Sequence, residues 1–137
     1  MTAALAGPAR LTERDYAIMR GIALHRPLAP RGYYTLLMAR LLLAEIVDEV
    51  EDHVVALDSV VRYRVGSGRT LEHRLVLSSF DALMGRTLSV RTLMGVALLG
   101  ARAPQSITLP GEDQDVILEA VLHYAPGASA HDEAERA

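Results

Sequence analysis

The chain changes its hydrophobic period near residue 53, and that change limits what it can fold into. Before it, Ile18, Met19 and Ile22 recur at helical spacing, and Thr12 followed by Asp15 is a variant of the capping box that opens a helix. The stretch His25 to Gly32, HRPLAPRG, interrupts the helix because its two prolines remove donors and turn the preceding residues away from the α region. A second, longer helix is expected from Tyr33 to Glu51, ending in the acidic cluster Asp48, Glu49, Glu51 and Asp52. Those charges sit against the negative end of the helix dipole, so the last turn is expected to fray or to find a base such as Arg20 or Arg14.

After residue 53 the period is two. Val61, Tyr63 and Val65 alternate with Arg62 and Arg64, Gly66-Ser67-Gly68 is a hairpin turn, and Leu71, His73, Leu75 and Leu77 share the inner face of a returning strand. A loop from Ser78 to Gly85 leads to a strand at Thr87 to Val90, and a short helix containing Val96 to Leu99 ends at Gly100. Ser106 to Leu109 and Val116 to Tyr124 are the last strands, with Val116, Leu118, Ala120, Leu122 and Tyr124 in register. Helices followed by a largely antiparallel sheet with one helix make an α+β fold. The expected division is an arm over 1–10, a short antiparallel helical hairpin over 11–53, a β-rich domain over 54–126 and a tail over 127–137.

Composition narrows the function. A chain of 137 residues, half of them hydrophobic with a mean hydropathy of +0.18, buries one principal core. A net charge of -3 and a pI near 5.9 argue against binding nucleic acid through phosphate neutralisation, so the partner expected is a protein. No cysteine is present, which removes disulfides and thiolate chemistry and is compatible with a cytoplasmic location. The apolar stretch Tyr33 to Val47 carries Arg40 and Glu45 and falls short of the roughly 20 residues a membrane span needs; MTAALAGPAR lacks the apolar run of a signal peptide.

No constellation points to catalysis. His25, His53, His73, His123 and His131 are scattered without metal-ligand spacing, the serines lack a nucleophile elbow, and Gly66-Ser67-Gly68 lacks the lysine of a phosphate loop. No catalytic residue, metal site or cofactor is therefore assigned. The second helix places Leu36, Ala39, Leu43, Ile46, Val47 and Val50 on one face. Leu37, Met38, Leu41 and Leu42 remain, either covered by the β domain or the arm, or forming a docking or homo-oligomer surface.

Four segments in order carry a resemblance: HVVALDSVVRYRV, TLEHRLVLS, LSVRTLMGVALLG and SITLPGEDQDVILEAVLHYAP. Together they resemble the C-terminal domain of the Gre transcription factors and, more closely, their short relative, the regulator of nucleoside diphosphate kinase. The resemblance implies an FKBP-like antiparallel sheet packed on one helix, carried on an N-terminal coiled coil. It also implies RNA polymerase as partner, docked through Arg91, Thr92, Leu93, Met94, Val96 and Ala97. Cleavage-stimulating members hold a metal with acidic residues at the coiled-coil tip, whereas the tip here offers His25, Arg26 and Arg31. Arg91 and Leu93 stand where the family commonly has an acid and a proline, and Pro104-Gln105 where it has Gly-Asp. The function expected is a non-enzymatic, polymerase-binding regulator of transcription elongation without cleavage activity. The alternative is an FKBP-like module repurposed to bind another protein or itself.

Overall fold

The computed structural model describes residues 8–77 and 86–122. Helix α1 (Glu13–His25) opens as its sequence requires, with Thr12 Oγ1 accepting the Asp15 N–H at 3.2 Å. Asp15 does not complete the reciprocal box. Its buried carboxylate accepts the Leu57 N–H at 3.0 Å, so the acid clamps α1 to the segment leading into the sheet.

Helix α2 spans Tyr33–Leu42 and stops well short of Glu51. Strand β1 (Arg10–Thr12) pairs in parallel with β2 (Glu45–Val47), matching Leu11 with Ile46. Extended pairing here overrides the helical periodicity read from the sequence, because it fastens residues 10–12 beside α1, with Ala9 and Leu11 buried. The expected face containing Leu43, Ile46 and Val50 therefore does not form, and Leu43 and Ile46 are exposed. Nor do the acids end a helix: Arg10, not Arg14 or Arg20, takes Glu45 and Glu51. The described part of the expected arm, residues 8–10, thus contributes to the core and to β1.

The larger sheet contains β3 (Val60–Val65), β4 (Leu71–Val76), β5 (Thr87–Ser89), β6 (Gln105–Ile107) and β7 (Val116–Leu122), ordered β5-β4-β3-β7-β6. All neighbours are antiparallel except β4 and β5, so the sheet is mixed where an antiparallel one was expected. Alternation specifies which face a side chain takes, not the direction of its strand. On β3 the pattern holds, with Val61 and Tyr63 buried. On β7 it does not: Tyr63 pairs with Leu118 but Arg62 with Ala120, so a bulge skips Glu119. Val116 and Leu118 face the core before the bulge and Val121 packs against it afterwards, which takes Ala120 and Leu122 out of the expected register.

Helix α3 (Leu93–Leu98) packs against α2, and Val96, Ala97 and Leu98 join Tyr33, Leu37, Val61, Leu75 and Leu118 in one core. Gly100, at φ +82°, follows its C-cap as expected. The expected loop over 78–85, His123, Tyr124 and the tail over 127–137 lie outside the described residues, as does the arm over 1–7.

Candidate functional site

The connector between β5 and α3 is held from several sides. Val90 N–H donates to the Val76 carbonyl at 2.9 Å, and the Thr92 N–H and hydroxyl both reach the Ser89 carbonyl, at 3.2 and 2.6 Å. Thr92 Oγ1 also caps α3 by accepting the Gly95 N–H at 3.0 Å. The Arg91 N–H donates to Ser89 Oγ at 3.0 Å, leaving the Arg91 side chain exposed on a fixed backbone.

The α1–α2 connection is linked to this connector through Tyr33. Arg26, in a left-handed conformation at φ 49°, caps α1 and lays its guanidinium 4.2 Å from the Tyr34 ring centroid. The Tyr34 hydroxyl donates to the Pro27 carbonyl. Tyr34 meets Tyr33 edge-on at 5.1 Å, and the buried Tyr33 hydroxyl donates to the Val90 carbonyl at 2.8 Å. Burial, with Tyr34 adding to it and Arg91 opposing it, pushes the Tyr33 hydroxyl up to about 12, so it remains a neutral donor.

This relay from Arg26 through Tyr34 and Tyr33 to Val90 joins the two regions read separately from sequence. The decisive interaction is a single hydroxyl-to-carbonyl bond between residues 33 and 90. Its signal in the sequence was only the pair Tyr33-Tyr34 directly after the proline-rich turn. Leu24 and Leu28 were missed as surface residues; Leu28 is fully exposed among His25, Arg26 and Arg31.

Not every expected contact residue is available. Arg91 is exposed and Thr92, Leu93 and Met94 are half-buried, but Val96 and Ala97 are core residues at 2% and 1% exposure. The expected helix surface divides likewise: Leu37 and Leu41 are buried, while Met38 and Leu42 are exposed. Among the described residues, no group of three or more His, Asp or Glu could hold a metal ion. No helix there is long and apolar enough to cross a membrane.

The sequence matches no family model and no curated protein. Among solved structures it is similar to a prokaryotic transcription elongation factor GreA/GreB from Nitrosomonas europaea, at 29% identity and a TM-score of 0.64, covering 85% of this chain and 98% of the other. The fold is Gre-like. Two further similar structures are the GreA factor homolog 1 (Gfh1) of Thermus thermophilus, at 20% identity and a TM-score of 0.43, and Gfh1 of Thermus aquaticus, at 19% and 0.45. Each alignment covers 85% of this chain and 99% of the Gfh1 chain. Within this Gre-like fold the buried Tyr33 hydroxyl links the start of α2 to the β5–α3 connector, and α2, at ten residues, extends only about 15 Å.

Proposed function

We propose that this protein is a non-enzymatic, cytoplasmic regulator of transcription elongation that binds RNA polymerase, in the manner of the short Rnk-like branch with an FKBP-like sheet. Its similarity over nearly the whole length of the Nitrosomonas elongation factor supports the reading. The observation that carries it is the Tyr33–Val90 bond, which ties the α1–α2 connection, with its exposed Arg26 and Leu28, to the connector that carries the exposed Arg91. Rigid presentation lowers the ordering cost of docking, and an arginine beside an exposed leucine suits an acidic patch with an apolar pocket.

Binding of the full chain to RNA polymerase core enzyme tests this. Arg91→Asp is expected to weaken binding about tenfold and to flatten its salt dependence, and Leu28→Asp to weaken it by a similar factor. Leu93→Pro, which occupies the first helical position of α3, should be tolerated by the fold because proline suits that position. Unchanged affinity in both Arg91→Asp and Leu28→Asp would place the interface elsewhere.

A second prediction concerns cleavage. The α1–α2 connection presents His25, Arg26 and Arg31 where a Mg²⁺ site needs carboxylate oxygens, so added protein is expected to leave the intrinsic cleavage rate of a backtracked elongation complex unchanged. Dose-dependent shortening of the RNA would overturn it.

A competing reading, self-association, rests on Met38 and Leu42, which lie one turn apart on α2 and are 50% and 84% exposed. Sedimentation distinguishes it: an oligomer that Leu42→Glu converts to monomer would favour that reading.

A further inference from the structure

Arg40 is the one described arginine in the core, only 5% exposed, and it has no carboxylate partner among the described residues. Its Nη2 donates to the Leu99 carbonyl at 2.5 Å, at the C-terminal end of α3, while its Nε is buried without any acceptor. Burial pushes the guanidinium pKa down to about 10, which leaves it charged at neutral pH. An uncompensated buried cation is expensive unless a counter-charge reaches it.

A small cleft, open at the surface, lies beside this group, and its polar lining is cationic or neutral: Arg10, Arg40, Arg102 and Gln105. The cleft owes its walls to Gly100. The Gly100 carbonyl accepts the Arg10 N–H at 3.1 Å, and a Cβ on Gly100 would come within 2.7 Å of the Ala9 Cβ, so only glycine lets β1 approach so closely. Arg10 is occupied by Glu45 and Glu51 at the rim, whereas the exposed Arg102 side chain forms no ion pair among the described residues. Gln105 Oε1 accepts the Arg102 N–H at 3.2 Å, which leaves its amide NH₂ group as the remaining donor.

We propose that this cleft binds a phosphate group, with Arg40 as the buried anchor, Arg102 closing over it from the surface and Gln105 donating between them. Guanidinium forks match the tetrahedral oxygens of phosphate and bind it with charge-assisted hydrogen bonds. The site is separate from the surface around Arg91 and does not depend on the polymerase reading.

Thermal melting of the full chain in inorganic phosphate, against chloride at matched ionic strength, tests the proposal. With phosphate about a hundredfold above its dissociation constant, the midpoint should rise by about 10 °C. Arg40→Met, which keeps the volume and removes the charge, should abolish that rise. Arg102→Ala lies on the surface and should leave the fold intact while weakening phosphate binding about tenfold. A rise of equal size in native protein and Arg102→Ala would be general salt stabilisation and would overturn the site, as would no rise at all. Adenosine monophosphate serves as a second arm. Tighter binding than inorganic phosphate supports a nucleotide as the source of the group, and equal or weaker binding supports free phosphate.

Discussion

Gly95→Ala is expected to destabilise the protein by about 3 kcal/mol or more, an unusually large effect for the addition of one methyl group. A Cβ at this position would stand 2.0 Å from the Ser89 carbonyl oxygen and 2.8 Å from the Val90 Cα. Both neighbours are backbone, and that backbone is fixed by the Val76, Thr92 and Tyr33 hydrogen bonds, so no flexible side-chain end can yield. Helix propensity favours alanine by only about 1 kcal/mol and does not offset the clash. The melting midpoint should fall by about 10 °C or more. Gly21→Ala is the control, since it lies within α1 with nothing within 4 Å of its Cβ, and it should stabilise by about 0.5–1 kcal/mol. Equal effects at the two sites would show that the β5–α3 contact is loose in solution.

Substitutions along α2 should separate just as sharply. Leu37→Glu and Leu41→Glu place an unpaired carboxylate against the core, where the wild-type residues are 1% and 8% exposed, and each is expected to cost about 3–5 kcal/mol. Leu42→Glu projects into solvent and should change monomer stability by less than about 0.5 kcal/mol. Chemical denaturation of the three variants measures this directly. A loss of several kcal/mol in Leu42→Glu would mean that the face around it is covered in solution, which would strengthen self-association over the polymerase reading.

The site was legible in parts. The basic character of His25, Arg26 and Arg31, the exposure of Arg91 and the Thr92–Gly95 cap are local properties that spacing and residue type carry. Val96 and Ala97 belong to the motif that resembles the Gre factors, and the resemblance implies a contact role for them. Within a six-residue helix lying between the sheet and α2, however, those small residues are what allows close packing. Leu28 carries no local signal, because a lone leucine in a proline-rich turn has no periodicity to mark it.

What the sequence determined by itself are the features that depend on neighbours close along the chain: the Thr12 cap, the break at the prolines, the turn at Gly66 and the alternation on β3. Tertiary structure alone decided the rest, because each feature requires two distant segments to compete for the same hydrogen-bonding groups or the same space. Residues 45–47 abandoned their helical pattern because β1 offered them a strand partner. Glu119 bulged so that Leu118 and Val121 could both face inward. Arg40, which reads as a surface charge on an amphipathic helix, was buried because the end of α3 presents the Leu99 carbonyl to it. The union of the α1–α2 connection with the β5–α3 connector likewise rests on Tyr33 reaching Val90, a contact across 57 residues that no local pattern specifies.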